Sequence, residues 1–408
     1  MPPEKPGVLM VTGAYYPELS GAGLQCRALV RRLCDDVDFT VLTTTVDRSM
    51  PMTTCQDGVT VRRVFIDPRS WWSKVVGTVA FVRAFLQERG RYSIVHLHGF
   101  SQKSILLIWL ARLTQKRVAI KLTSFGHDDP ASMKQRGRIA YWCYSRADLF
   151  FAVSPRFVES YDAAGLPRER VRLIPNGVDC ERFRPPASGE REQLRRALSL
   201  PVNGPMVLFV GFFSREKRPD LLFSAWAKVA DSSAPQSVLV YVGATKSSYY
   251  EVDQRLAADI RDAAVTLGLG DRVRFVERAS DIESFHRAAD IFVLPSVREG
   301  LPNALLEAMA SGSACIATRL DGVTDAVIEH ERNGLLVPPD DERALASALQ
   351  RLIDAPSLAS RLGWEGRRTI EARYALDDTA RQYLRDYRRL QGAGGVYTSG
   401  EPSTRGQV

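Results

Sequence analysis

The strongest constraint in this chain is a rhythm that starts twice. Short apolar runs alternate with segments of helical period almost from end to end. Val8-Leu9-Met10-Val11-Thr12-Gly13 opens the first half, and Met206-Val207-Leu208-Phe209-Val210-Gly211 opens the second. Continuous apolar runs suit strands of a parallel sheet buried on both faces. Strands separated by helices specify doubly wound α/β layers rather than a sandwich or a bundle. In the first half the pattern predicts strands at Val8–Gly13, Phe39–Thr44, Val59–Val64, Ile94–Leu97, Val118–Thr123, Leu149–Val153 and Val171–Ile174. In the second it predicts them at Met206–Val210, Val238–Val242, Val273–Val276, Ile291–Leu294, Ala314–Ala317 and Gly334–Val337. Helices are expected at Gly23–Cys34, Trp71–Arg89, Gln102–Leu113 and Pro155–Ala164. Further helices are expected at Pro219–Val229, Asp253–Leu267, Ile282–Ala289, Asn303–Ser311, Thr324–His330, Glu342–Ile353 and Ser357–Ala372.

The expectation is two Rossmann-like domains facing each other, with the working cleft between the carboxyl ends of their strands. Pro185, Pro186, Ser188 and Gly189 interrupt all periodicity and mark the boundary. The first domain is read as residues 1–185 and the second as 186–375. A helix over 376–390 is expected to pack back on the first domain, and 391–408, rich in Gly, Ser and Thr, reads as a disordered tail. A length of 408 residues agrees with a division into domains. No apolar stretch is long enough to span a bilayer; Ile105–Ala111 reads as a short buried segment. The N-terminus reads as the approach to a first strand and not as a signal peptide. Six scattered cysteines without CxxC spacing point to a reducing cytoplasm rather than a disulfide framework. The formal charge of +8, from 55 Lys+Arg against 47 Asp+Glu, fits a phosphorylated small molecule, an anionic membrane or nucleic acid.

The most informative segment is Arg298-Glu299-Gly300-Leu301-Pro302-Asn303-Ala304-Leu305-Leu306-Glu307-Ala308-Met309-Ala310-Ser311-Gly312. It follows an expected strand and opens a helix. Gly300 permits a turn, and Pro302 suits the first helical turn, where a missing N–H is not required. The free N–H groups there point toward an anion. Glu299 before the turn and Glu307 on the helix are placed to accept hydrogen bonds from sugar hydroxyls; spacing alone also fits a plain loop-to-helix junction. After the strand Met206–Val210, the run Gly211-Phe212-Phe213-Ser214-Arg215-Glu216-Lys217-Arg218 puts three cations at another strand's carboxyl end. There they can neutralise a diphosphate, or simply be solvated.

The run E-G-L-P-N-A-L-L-E-A-M-A-S-G resembles the E-x7-E signature of retaining nucleotide-sugar glycosyltransferases of family 4, which have the GT-B fold. Ile174–Pro185, Asn333–Pro339 and Pro17–Gly23 look like flanking segments of the same family, so the resemblance spans about residues 8 to 375. It implies a sugar transfer from a nucleotide diphosphate sugar to an acceptor hydroxyl of a glycan or lipid-linked glycan, with retention and without a metal or other cofactor. It further implies that Glu299 contacts the donor sugar, Glu307 the ribose hydroxyls and Lys217 the phosphates. Gly21, Ala22 and Gly23 border the diphosphate, and Arg278 lies near the base. Gly300, Leu301, Pro302, Asn303 and Ala304 complete the donor site.

Two positions depart from the family. Phe212 stands where Arg often follows the glycine, and Arg215 is the candidate replacement for its charge. Phe125 stands where a histidine is often found, which leaves His127 and, at another strand end, His98 as candidates on the acceptor side. Asp128-Asp129 is too small a set for a metal shell. A sugar-nucleotide epimerase or phosphorylase on the same fold is the alternative, as is a binding protein that kept the pocket. A dinucleotide oxidoreductase fits less well, because Cys26 stands where the third glycine of G-x-G-x-x-G belongs. Trp71-Trp72-Ser73-Lys74 and the run Lys134–Arg146 mix aromatic and basic residues, which suits an anionic membrane surface and equally two amphipathic helices packed on the first domain's sheet. The basic residues form no stripe for nucleic acid. The expected location is therefore cytoplasmic, peripheral on the inner face of the membrane.

Overall fold

The structure is a computed structural model that describes residues 5–18, 20–232, 236–245 and 252–392. Eight strands form the first sheet: β1 (Gly7–Thr12), β2 (Asp38–Thr45), β3 (Thr53–Gln56), β4 (Val59–Phe65), β5 (Ile94–His98), β6 (Arg117–Leu122), β7 (Leu149–Ala152) and β8 (Val171–Leu173). Their order is β3-β4-β2-β1-β5-β6-β7-β8, and β3 runs antiparallel to β4. Six strands form the second: β9 (Met206–Val210), β10 (Val238–Val242), β11 (Val273–Val276), β12 (Ile291–Leu294), β13 (Ala314–Thr318) and β14 (Leu335–Val337). Their order is β11-β10-β9-β12-β13-β14, and every pairing is parallel.

The helices of the first half are α1 (Gly21–Leu33), α2 (Trp71–Gln87), α3 (Gln102–Leu113), α4 (Pro130–Gln135), α5 (Arg138–Tyr144) and α6 (Pro155–Ala163). Those of the second are α7 (Glu190–Ala197), α8 (Pro219–Ser232), α9 (Gln254–Thr266), α10 (Ile282–Ala288), α11 (Asn303–Ala310), α12 (Glu342–Asp354), α13 (Pro356–Arg373) and α14 (Leu376–Gly392). Their starts are written in the sequence. Ser20 caps α1, Asp253 caps α9, Asp281 caps α10 and Asp341 caps α12, each accepting a backbone N–H of the first turn. In α1 the buried Cys26, Leu29, Val30 and Leu33 recur at helical spacing and form one face.

The chain divides into two compact units. One holds the chain through Lys121, Arg138–Phe150 and the chain from Ala380 on; the other holds Leu122–Gly137 and Phe151–Thr379. In the first unit, α14 turns Tyr383 and Tyr387 into the sheet. The Tyr387 hydroxyl lies 2.6 Å from His96 Nδ1, and its ring meets Phe39 edge-on. In the second, Val207, Phe209, Tyr241, Val293 and Ile316 of the strands pack with Trp226 of α8.

Each sheet reverses its order beside its first strand, between β1 and β5 and between β9 and β12. At such a reversal neighbouring crossover connections leave on opposite faces, so a crevice opens at the strands' carboxyl ends. In the second unit, the loop after β9 and the loop after β12 flank that point. They are the two segments singled out by their chemistry.

The structure differs from the sequence reading in several elements. Strand β3 is unexpected, because Thr53-Thr54-Cys55-Gln56 has no apolar run; it forms by edge pairing with β4. Helix α7 is also unexpected. It begins directly after Gly189, at φ 74°, where the composition reads as linker. Thr324–His330 is not an α-helix but a series of turns, in which the Thr324 hydroxyl bonds Thr318 O and receives Leu320 N. The run Lys134–Arg146 breaks at Gly137, φ 114°, into α4 and α5. Of the expected tail, Gln391 and Gly392 close α14, and 393–408 lie outside the described residues.

Candidate active site

The second unit assembles its candidate site from three loops. The chain leaves β12 through Ser296 and Arg298 and reaches Glu299 and Gly300. A Cβ on Gly300 would stand 2.0 Å from Thr123 O, so this position admits no side chain. Pro302 is the N-cap of α11 (φ −74°, ψ 110°) and not, as the sequence reading places it, a member of the first turn. It has no side-chain acceptor, so the N-cap residue itself offers no oxygen to the first turn of α11. Leu301 and Asn303 are held from below. Asn176, 7% exposed, donates to Leu301 O at 3.2 Å and to Asn303 Oδ1 at 2.8 Å. Ala304 follows in the first turn.

Lys217 Nζ lies 2.5 Å from Glu299 Oε1, across a separation of 82 residues. The Glu299 side chain is only 8% exposed and that of Lys217 27% exposed, so the pair is largely out of water. A tight turn sets the lysine, with both Lys217 N and Arg218 N bonding Ser214 O. The other two cations turn elsewhere. Arg215 is 86% exposed and reaches Asp253 at 3.3 Å. Arg218, at φ 48°, pairs with Asp220 and Asp340. Glu307, on α11, directs Oε2 toward His286 Nε2 at 3.6 Å. Arg278 is exposed just beyond β11.

His127 belongs to the same unit. Arg298 Nη2 lies 2.9 Å from His127 Nε2, and the same guanidinium bonds Glu216. A guanidinium only donates, so His127 Nε2 accepts, and the neutral ring carries its proton on Nδ1. Asp128 and Asp129 are occupied with backbone. Asp128 Oδ2 receives Thr123 N and Ser124 N, and Asp129 caps α4. Among the described residues no group of three His, Cys, Asp or Glu is placed to hold a metal ion. Phe125 packs on Phe157, with the Arg156 guanidinium 4.0 Å above its ring.

The remaining candidates stand in the first unit. Gly21, Ala22 and Gly23 open α1. A Cβ on Gly23 would meet Ala14 O at 2.3 Å, which explains the glycine by close approach of the loop after β1. His98 closes β5, is 7% exposed, and neither ring nitrogen makes a hydrogen bond. Burial, with His96 and Lys121 beside it, holds its imidazole well below the usual histidine range. Burial likewise lowers Lys121 to about 8.

The chain matches the family described as "Glycosyl transferases group 1" over residues 190–369 and the "Glycosyl transferase 4-like domain" over residues 20–177. It is 30% identical to a D-inositol 3-phosphate glycosyltransferase of Saccharomonospora viridis, over 79% of this chain and 74% of that one. The chain belongs to the family 4 glycosyltransferases. A second D-inositol 3-phosphate glycosyltransferase, from Acidothermus cellulolyticus, is 29% identical over 91% of this chain and 86% of its own. Among solved structures, sucrose-phosphate synthase of Thermosynechococcus elongatus superposes with a TM-score of 0.80 at 25% identity, covering 96% of this chain and 100% of that one. Anabaena HepE, solved in complex with UDP-glucose, superposes at 0.77 with 19% identity over 94% and 99% of the two chains. The fold is that of the GT-B glycosyltransferases.

Sequence reasoning missed three residues of this glycosyltransferase. Arg298 sits next to Glu299, but its partner His127 is 171 residues away. Asn176 lies in a segment read only as a flank of the family resemblance, and His286 shows only as a histidine on a helix. No local pattern announces any of these pairings.

Proposed function

We propose that this glycosyltransferase moves a sugar from a nucleotide diphosphate sugar to an acceptor hydroxyl with retention at the anomeric carbon and without a metal. The observation that carries the reading is the Lys217–Glu299 pair beside the start of α11. On binding, the donor diphosphate takes the Lys217 ammonium and the N–H groups at the start of α11. Glu299, released from the lysine, accepts hydrogen bonds from sugar hydroxyls. Glu307 holds the ribose diol, and Arg278 borders the base.

The acceptor oxygen forms a bond to the anomeric carbon on the face from which the diphosphate leaves. The bond from that carbon to the phosphate oxygen breaks, and the hydroxyl proton passes to the departing phosphate. Lys217 and the α11 amides stabilise the charge that develops on the leaving group. No side chain is assigned as a covalent nucleophile, so front-face attack replaces a double displacement. We assign donor recognition to residues 186–375. Acceptor recognition falls to residues 1–185, with His98 and His127 as its candidate residues, while Gly21, Ala22 and Gly23 border the donor diphosphate. The acceptor is a glycan or lipid-linked glycan at the cytoplasmic face of a membrane, in agreement with six free cysteines. No helix of the described residues is long and apolar enough to cross a membrane.

Donor screening by product mass spectrometry, followed by NMR of the product's anomeric proton, tests this reading. The expected product keeps the donor's configuration in the presence of a chelator. An inverted anomer overturns the retaining assignment, chelator-sensitive transfer overturns the metal-free one, and turnover without acceptor points to an epimerase.

A further inference from the structure

The first unit carries an outer face that sugar transfer does not explain. The connections β4–α2–β5, β5–α3–β6 and β6–α5–β7 all advance in the same direction across the sheet, whereas β1–α1–β2 goes the other way. Parallel crossovers are right-handed, so α2, α3 and α5 lie together on one face, opposite α1. The outer sides of those three helices are apolar. On α2, Trp71 is 63% exposed, Trp72 62%, Val76 63% and Val79 64%. Trp71 and Trp72 stack with ring centroids 4.3 Å apart. On α3 and α5, Trp109 is 51% exposed, Leu113 70%, Ile139 72% and Trp142 44%, and Trp109 lies 6.5 Å from Trp142. The apolar stretch Ile105–Ala111, read from sequence as buried, therefore turns one edge outward. Four of the chain's six tryptophans stand here. An exposed face of this kind marks an interaction surface.

Charge identifies the partner. Residues 71–117 and 138–148 contain ten Lys and Arg against Glu88 and Asp148 alone, an excess of eight. The excess of the whole chain is also eight, so the rest of the molecule is neutral. Both acids are already paired, Glu88 with Arg62 and Arg91, and Asp148 with Arg117. Lys74, Arg83, Arg89, Arg112, Arg138 and Arg146 are exposed among or beside the tryptophans. Behind Val79, a shallow hollow of about 730 Å³ is lined by Val82, Arg83, Leu86 and Arg89. Aromatic rings interleaved with exposed cations match the interface of an anionic bilayer, where indoles settle at headgroup depth and cations meet phosphate. A protein partner would need acidic side chains interleaved with apolar pockets on the same spacing, whereas a fluid lipid surface adapts to two separate ridges.

We propose that the α2–α3–α5 face docks this enzyme on an anionic phospholipid surface, with the Trp71/Trp72 and Trp109/Trp142 ridges inserted into the headgroup layer. The proposal names the partner behind the peripheral location in the functional reading above, but the two stand on separate measurements. The full chain is sedimented with vesicles of phosphatidylcholine alone or mixed with phosphatidylglycerol, at low and high salt. Indole emission and its quenching by brominated acyl chains report insertion. Binding is expected to the mixed vesicles only, to fall at high salt, and to shift the indole emission to the blue. The pair Arg83→Ser and Arg89→Ser is expected to weaken partitioning about 25-fold, since each cation near such a surface is worth roughly fivefold. Trp71→Ser with Trp72→Ser is expected to weaken it about 10-fold and to abolish most quenching. Trp364→Ser, exposed in the other unit, leaves binding unchanged.

Equal binding to neutral and mixed vesicles, or none to either at low salt, overturns the proposal. So does a dimer in sedimentation velocity without lipid that the Trp71/Trp72 variant abolishes, since the face then covers a second copy. Nucleotide release from the donor with a soluble acceptor, measured without vesicles, tests sugar transfer alone. Its failure with vesicle binding intact counts against the functional reading and leaves the docking surface standing.

Discussion

Replacing Lys217 with alanine separates the two roles that its ion pair combines. In the parent, Glu299 is 8% exposed and takes Lys217 Nζ at 2.5 Å. Removing the lysine leaves a nearly buried carboxylate without its cation. Breaking a fully buried pair from one side costs about 3–5 kcal/mol. Lys217 is 27% exposed, so water screens part of the loss, and about 2–3 kcal/mol is expected here. For a unit of this size that lowers Tm by about 5–10 °C. Catalysis suffers for a different reason. On the proposed reading Lys217 holds the diphosphate both as it binds and as it leaves, and losing such a cation lowers kcat/KM by about 10²–10³-fold. The Lys217→Ala, Glu299→Gln double variant tells the effects apart. A neutral amide at 299 no longer needs a counter-ion, so most of the Tm returns, while transfer stays lost. Calorimetry and initial rates across donor concentrations provide both readouts. The reasoning is refuted if Lys217→Ala keeps kcat/KM within about threefold of the parent, which would take Lys217 off the phosphates. It is equally refuted if Glu299→Gln fails to restore Tm, because the cost then has another source.

Three further outcomes follow from the geometry. Gly300→Ala puts a Cβ 2.0 Å from Thr123 O, so the loop before α11 must move; a destabilisation of about 1–3 kcal/mol and a loss of donor affinity by calorimetric titration are expected, and unchanged affinity would show the loop does not seat the donor. Arg298→Gln and His127→Ala break one shared hydrogen bond, so their effects on kcat/KM should be non-additive by about 1–2 kcal/mol; strict additivity would mean the bond carries no function. Lys121, lowered to about 8 by burial, ionises near 10.4 when unfolded. Between those values the unfolded chain holds more protons, so stability rises with pH from about 8 to about 10, and below 8 the whole cost of the buried charge is present. Lys121→Met should be more stable than the parent in urea at neutral pH and should lack that rise; an unchanged slope between pH 8 and 10 would sink the assignment.

Much of the loop that opens α11 was legible because its signals are local. Gly300, the unhelical Pro302 and the two glutamates occupy one stretch, and a loop-to-helix junction depends mainly on neighbouring residues. The cation cluster Arg215–Arg218 was legible as a cluster but not as a division of labour. Only the turn at Ser214 decides that Lys217 faces the site while Arg215 meets solvent and Asp253. Thr324–His330 misled because its spacing of apolar residues suits a helix, yet a threonine hydroxyl bonding backbone competes locally with the helix ladder. Strand β3 was invisible because an edge strand needs only a partner's backbone, which is a property of β4 and not of residues 53–56.

By itself the sequence determined two doubly wound α/β halves, the strands that build them, and the motif that opens α11. These depend on periodicity and on turn chemistry, which act over a few residues. Tertiary structure alone decided which charges meet: Lys217 with Glu299 across 82 residues, Arg298 with His127 across 171, and His96 with Tyr387 across 291. It also decided that α2, α3 and α5 share a face and turn their tryptophans outward. The physical reason is that burial and pairing are set by the crossover connections, whose handedness brings remote segments together, and no window of sequence contains both partners.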